Sequence, residues 1–291
     1  MSRKVYVFTG FGVNGSTLIE SLKRACQGDP NLDVVEITSQ DMKEMGRIDP
    51  ATVAAFFLPG GAKPQYDQQI GQHGFGLIRE YVREGGAFYG ICAGAYYASR
   101  ELDWQEGTAE HKHKWPGLGF FNGLAKGPER SLITHNKEFG QWYDAAIVDI
   151  TPADTDVKNA SGPARVLYWD GPIFHSPDNF AGNEVLATIQ VQGQTTPAII
   201  KVPNGKGFAI LSSVHPETSA AQLAPHINTY LDSSTYVRVL YDELAPFDAQ
   251  RENIWRAILA HAPDMPVDAP ENASAPLQEN TGQSQSDALI P

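Results

Sequence analysis

Over the first hundred residues, apolar positions fall into short unbroken runs separated by longer periodic ones. Lys4–Thr9 (KVYVFT), Asp33–Thr38 (DVVEIT), Ala54–Leu58 (AAFFL) and Gly86–Ile91 (GAFYGI) are rich in β-branched and aromatic residues, and three of them end at Gly, Pro or Cys. Such runs read as strands, the last of them buried. Between them, Ser16–Cys26 carries Leu18, Ile19, Leu22 and Cys26 on one helical face, and Ile70–Glu84 repeats the pattern with Ile70, Leu77, Ile78, Tyr81 and Val82. A third helix is predicted to start at once after the fourth strand, over Ala93–Arg100. Strands alternating with helices predict right-handed βαβ units and a parallel sheet.

The second half has a different rhythm. Trp104–Gly140 is rich in Gly, Lys, His and aromatics and is read as long loops. Ala146–Thr151, Arg165–Trp169, Glu184–Gln192, Pro197–Val202 and Phe208–Ser213 are strand-like, with Asn204-Gly205 as a hairpin signal between the last two. Helices are predicted again over Ser219–Leu231 and Ala249–Ala260. The expectation is one α/β domain over residues 1–262. Its mostly parallel, flavodoxin-like sheet is flanked by helices, with an antiparallel extension in the second half. Residues 263–291 lack periodicity, Lys and Arg, and contain five Pro and five acids. They are expected to form a disordered acidic tail.

Composition narrows the function classes. The chain has 291 residues, 42% of them hydrophobic, which is enough for a sizeable core. Its formal charge of -12 repels phosphate backbones, so nucleic acid is not an expected partner. No apolar run approaches a membrane span or the core of a signal peptide, so no membrane partner is expected and a cytoplasmic setting is. Two cysteines, Cys26 and Cys92, cannot form a disulfide framework or a four-thiolate zinc site.

The densest chemistry lies in Tyr89-Gly90-Ile91-Cys92-Ala93-Gly94-Ala95. A strand runs straight into a helix with one cysteine at the corner and a glycine two residues to either side, the pattern of a nucleophile elbow in Cys form. The glycines remove side chains where strand and helix pass closely, and the helix N-terminus favours a thiolate. A buried structural cysteine in a Gly-rich turn has the same local pattern. Leu58-Pro59-Gly60-Gly61 closes the preceding strand on the same sheet edge. There the Gly61 N–H, with that of Ala93, can form an oxyanion hole, although a plain Pro-Gly turn reads alike. Ser213-Val214-His215-Pro216-Glu217 ends another buried strand. His215 can serve as base to Cys92, and Glu217 can orient its imidazole.

Taken together, Pro-Gly-Gly, Gly-x-Cys-x-Gly and His-Pro-Glu resemble the class I glutamine amidotransferase-like superfamily. The likeness is greatest to one branch, the N-terminal domain of eukaryotic biotin–protein ligases and its stand-alone bacterial relatives. Leu58–Ala62, Ile78–Val82, Glu84–Ser99, Tyr168–Pro172, Glu184–Ala187 and Gly207–Glu217 carry that resemblance. It implies Cys92 as nucleophile, His215 as base, Glu217 as its orienter, and Gly61 and Ala93 as oxyanion donors, with Gly60 and Tyr96 beside the substrate. Glutamine-hydrolysing members carry Gln four positions after the nucleophile, where this chain has Tyr96, which sets glutamine itself in question. No Gly-Arg-Gly-type biotinoyl-adenylate loop is found, so biotin ligation by this chain is not expected.

Other features carry less. Gly10-Phe11-Gly12-Val13-Asn14-Gly15, with Glu36 about 20 residues on, fits the dinucleotide fingerprint. That reading leaves the cysteine and His-Pro-Glu motifs unused; an anion held by the Gly12 loop as part of the substrate site fits better. His111-Lys112-His113-Lys114-Trp115 lacks carboxylates at metal-ligand spacing and is read as a basic loop able to cover the Cys92 mouth. His135 and His175 are candidates for the pocket wall; Tyr96, Tyr97, Trp104, Phe120 and Phe121 fit either pocket wall or core, with core the reading for most aromatics, and Cys26 is read as inert. The expected function is a cysteine-dependent hydrolase or acyl or amido transferase on a small-molecule amide or ester, needing no metal and no cofactor. A ligand-binding or regulatory module that keeps the pocket without turnover is the alternative. A partner enzyme or a homo-oligomer is left open.

Overall fold

In the computed structural model, residues 2–26, 29, 31–61, 65–133, 144–153, 157, 162–228, 234–263 and 265 are described. The first part follows the predicted βαβ order: β1 (Arg3–Phe8), α1 (Gly15–Ala25), β2 (Leu32–Ile37), α2 (Ser39–Glu44), β3 (Val53–Leu58), α3 (Tyr66–Gln69), α4 (Gly71–Arg83), β4 (Ala87–Ile91) and α5 (Ala93–Ala98). Then come β5 (Ser99–Trp104), β6 (Lys112–Lys114), β7 (Phe121–Gly127), β8 (Ala145–Pro152), β9 (Ala164–Trp169), β10 (Ile173–His175), β11 (Glu184–Val191), β12 (Gln194–Asn204) and β13 (Gly207–Ser212). Helices α6 (Ala220–Leu223), α7 (Ser234–Leu244) and α8 (Asp248–Leu259) follow.

Among the described residues, nine strands form one sheet in the order β2-β1-β3-β4-β13-β12-β11-β8-β9. The first five are parallel and the last four join antiparallel, which is the expected sheet with its antiparallel extension. All six residues of β3 are buried, because helices cover both faces of the sheet. Cross-strand register stacks Phe56 on Phe88 and Phe57 on Tyr89, ring centroids 6.4 and 4.5 Å apart. On one face Phe57 and Tyr89 pack with Leu18, Leu22, Ile254 and Trp255 of α1 and α8; on the other Phe56 and Phe88 pack with Phe75, Ile78 and Tyr81 of α4. Among the described residues no helix is long and apolar enough to cross a membrane.

The segment read as loops is different. β5, β6, β7 and β10 form a second sheet in the order β10-β7-β5-β6. Within it His111 pairs with Asp103 at 2.7 Å and His113 approaches Glu101 at 3.7 Å, so β5 supplies the carboxylates that the local sequence lacks. Lys114 bonds Asp67 and the Tyr97 hydroxyl. This segment is therefore held against α3 and α5 rather than over the Cys92 mouth. The helix predicted over 70–84 is α4 (Gly71–Arg83), and Gly71, whose φ is +66°, sets it apart from the short α3 before it. Of the helix predicted from Ser219 to Leu231, the described residues are α-helical over Ala220–Leu223 and tighten to a 3-10 turn over Ala224–Asn228, where Pro225 has no N–H to give. Most of the 263–291 segment and His135 lie outside the described residues. Met265 is described and packs, 5% exposed, on the core.

Candidate active site

β1, β3, β4 and β13 run parallel, so the segments after their C-terminal ends meet on one edge of the sheet. Those segments are Gly10–Asn14, Pro59–Gly61, Cys92 and Ser213–Glu217. The order β2-β1-β3 makes β1 and β3 diverge in connection, a switch point where such sheets leave a crevice. A cleft of about 430 Å³ opens there, lined among others by Gly12, Gly61, Cys92, Trp169, Asp170 and His215.

The backbone reason for the glycines is direct. Cys92 has φ +50° and ψ -106°, a strained corner between β4 and α5. To turn there, α5 passes so close to β3 that a Cβ on Gly94 would lie 2.0 Å from the Leu58 carbonyl oxygen. A Cβ on Gly90 would lie 2.8 Å from the Gly94 oxygen. On Gly60 it would meet His215 Cε1 at 3.0 Å and Cys92 Cβ at 3.1 Å. Gly60 is thus the bare floor between the two side chains. On Gly61 it would strike the Gly12 oxygen at 2.0 Å, since the first loop is tied to this one by Asn14 N–H donating to Gly60 O at 2.9 Å.

Cys92 is 6% exposed, His215 5% and Glu217 4%. His215 Nδ1–H donates to Glu217 Oε1 at 2.7 Å, which leaves Nε2 as the other ring nitrogen. Nε2 is buried and has no hydrogen-bond partner among the described residues. The thiol donates instead to the Trp169 carbonyl at 3.3 Å. Burial opposes charge on His215, but the Glu217 carboxylate and the Cys92 sulfur outweigh it and hold the imidazole well above its ordinary pKa. His215 is fixed from the other side by its own N–H, which donates to Leu167 O at 2.7 Å. Gly61 and Ala93 flank Cys92, and among the described residues neither amide meets a backbone carbonyl.

The structure therefore brings Cys92, His215, Glu217, Gly60, Gly61 and Gly12 to one place. Tyr96 is not part of the cleft lining. It is 3% exposed, and its hydroxyl donates to Asp170 O at 3.1 Å. It supports from beneath a strap, Trp169–Gly171, that crosses the thiol. The strap packs so tightly that a Cβ on Gly171 would lie 1.8 Å from Ser213 O. Tyr168 secures it further by donating to Gly171 O at 2.9 Å and accepting the Glu129 N–H at 2.7 Å. Sequence reasoning missed Trp169 and Asp170 as site residues. Trp169 offers the thiol its main-chain oxygen and Asp170 offers its own to Tyr96, so the signal in the sequence was the Tyr168–Pro172 block itself. His175 and Glu36 do not line the cleft, and Tyr97, Phe120 and Phe121 are core. No cluster of three metal-ligating side chains occurs among the described residues.

Comparison with known proteins gives a consistent picture. The family model for the N-terminal part of biotin-protein ligase matches residues 3–281. The chain is 30% identical over 176 residues to a biotin–protein ligase of Schizosaccharomyces pombe, which covers 59% of this chain and 26% of that protein. It is 30% identical over 168 residues to an uncharacterized protein of Chlamydia muridarum, covering 57% of this chain and 61% of that one. The chain thus matches less than two thirds of the length of either relative. Among solved structures, a glutamine amidotransferase from Thermotoga maritima superposes with TM-score 0.57 at 14% identity, covering 91% of this chain and 99% of the other. The structure of PurLQS from Thermotoga maritima gives 0.53, also at 14% identity, over 90% and 99%.

Proposed function

The chain belongs to the biotin-protein ligase N-terminal family, and from that premise we propose that it is a cysteine-dependent hydrolase or acyl or amido transferase acting on a small amide or ester. The observation that carries this reading is the unpartnered, buried Nε2 of His215, set beside Cys92 while Glu217 occupies Nδ1. A buried ring nitrogen left unpaired is costly, and a proton shuttle is the use that needs it so.

Each step uses the chain's own groups. His215 Nε2 takes the thiol proton, and the Cys92 sulfur attacks the substrate carbonyl carbon. The Gly61 and Ala93 amides hold the oxygen as it becomes negative. The tetrahedral adduct collapses, the C–N or C–O bond breaks, and His215 returns its proton to the leaving group. A thioester on Cys92 remains. Water or another acceptor attacks it, His215 takes the acceptor's proton, and the thiol re-forms as the acyl product leaves. Glu217 keeps the ring in one tautomer and offsets its charge throughout. Nucleic acid and membrane are not partners in this reading. Biotin ligation is no part of this reading either.

The test is the rate of Cys92 alkylation by iodoacetamide against pH, read by peptide mass spectrometry. Fast labelling at pH 6 that is lost in His215→Ala is expected. Labelling that is slow and identical in both proteins overturns the reading.

Two observations favour a second reading, a binding or regulatory module without turnover. The thiol is bonded to the Trp169 carbonyl, and Tyr96 stands where glutamine-hydrolysing members carry Gln. In that case Cys92→Ala leaves ligand affinity intact and no thioester is ever trapped.

A further inference from the structure

Arg251 is a guanidinium side chain buried to 1% exposure on α8, and nothing in the chemistry above uses it. Its guanidinium is shared among three acceptors. Nη1 donates to the Pro216 carbonyl at 2.5 Å, Nε to Asp248 Oδ1 at 2.7 Å, and Nη2 to Glu252 Oε2 at 2.9 Å. Asp248 Oδ1 also accepts the Ala220 N–H at 3.1 Å, and Glu252 also accepts from Arg256 at 3.0 Å. The Arg251–Asp248 pair therefore grips both ends of the segment 216–220, which begins in the His215-Pro216-Glu217 turn. α8 is itself anchored, with Ile254, Trp255 and Ile258 in the core.

The peptide geometry gives this grip a consequence. The pyrrolidine ring fixes φ of Pro216. The next freedom that decides where the Glu217 carboxylate lies is the tilt of the planar 216–217 peptide, and the Pro216 oxygen marks that tilt. Arg251 holds that oxygen. Its planar fork meets three acceptors in different directions, which a single ammonium point charge cannot do.

We propose that Arg251 is a positioning residue: it locks the 216–217 peptide so that Glu217 stays on Nδ1 of His215 and Nε2 stays turned toward Cys92. The proposal rests on His215 acting on Cys92. The titratable groups facing the imidazole are Glu217 and Cys92, and the carboxylates facing Arg251 are Asp248 and Glu252, with Arg256 behind the latter.

The experiment is the Cys92 alkylation profile of the full chain in Arg251→Lys, beside wild type, His215→Ala and Glu217→Gln. Thermal melting checks the fold and Cys26 serves as internal control. Arg251→Lys is expected to label Cys92 about tenfold more slowly at pH 6, the change a one-unit shift in titration produces, with its profile moved toward that of His215→Ala. Adding Arg251→Lys to Glu217→Gln is expected to change little further, because both act through the same ring; additive effects would mean a merely structural role and overturn the proposal. Should Arg251→Lys fail to fold, Asp248→Asn removes the charge from the second anchor, and the same direction of shift is expected from it. A folded Arg251→Lys or Asp248→Asn with the wild-type profile overturns the proposal while His215 dependence stands. A wild-type profile that His215→Ala does not alter fells the catalytic reading, and this inference with it.

Discussion

Cys26 and Cys92 are both buried, at 8% and 6% exposed, yet their surroundings differ in kind. Cys26 sits against the apolar side of α1, where burial first, and then the Asp29 charge, push its thiol up to about 11, with Arg256 opposing. In the folded protein it is therefore expected to resist iodoacetamide at pH 8, while denaturant exposes it to ordinary labelling; equal rates in both states would contradict its burial. Because its pKa is raised on folding, its contribution to stability is complete below about 9 and is lost as pH rises toward 11. His215 is raised as well, by Glu217 and Cys92 against the opposing effect of burial. Its stabilising contribution is full below its ordinary value of 6.5 and fades as pH climbs through the higher folded value. Glu217→Gln removes the carboxylate charge, so the variant should lose about 1–3 kcal/mol, with the deficit in melting temperature largest at pH 5.5–6.5 and shrinking at alkaline pH. A deficit that grew with pH would reverse the assignment. At this scale the candidate residues were legible, because Cys, His and Glu announce chemistry by type. The Trp169 carbonyl was not, since a main-chain oxygen has no letter in the sequence.

Elements explain which glycines are indispensable. α5 leans on β3 at Gly94, where a Cβ would lie 2.0 Å from the Leu58 oxygen, a main-chain atom with no rotamer to yield. Gly94→Ala is expected to cost about 3 kcal/mol or more in denaturant unfolding. Gly76→Ala, on α4 with nothing within 4 Å, should instead stabilise by about 0.5–1 kcal/mol. Comparable losses for both would deny the close approach of α5 to β3. Elements also explain what the sequence hid. β3 and β4 are buried on both faces and read as continuous apolar runs, which mark them as strands. β5 and β7 carry Arg100, Glu101, Asn122 and Gly123, and their pairing joins residues some twenty positions apart. No local window contains that information. α7 (STYVRVLYDEL) is rich in β-branched and aromatic residues and becomes a helix because its apolar face packs on β8 and β9. α2 was within reach: Thr38 and Asp41 form a capping box, a signal that the chain spells out.

At the scale of the molecule, the strand order decides where chemistry can sit. Parallel neighbours β1, β3, β4 and β13 deliver their following segments to one edge, so residues as far apart in sequence as Gly12 and His215 become neighbours without any long loop. The antiparallel extension then brings β9 and its strap back across the thiol, and α8 closes the back of the His-Pro-Glu turn. Met265 is 5% exposed and packs with the core cluster that holds Trp255 and Ile258, so the fold extends at least that far. Beyond it the sequence reads as an acidic tail, although the family match continues to residue 281. A chain ended after Met265 should melt within about 1 °C of the full one and keep its Cys92 labelling profile. A chain ended after Ala262 should lose about 2 kcal/mol, the usual scale for deleting a buried Met side chain, and melt several degrees lower. If ending after Met265 already lowers the melting temperature by several degrees, residues 266–281 belong to the folded domain, and the tail begins where the family match stops.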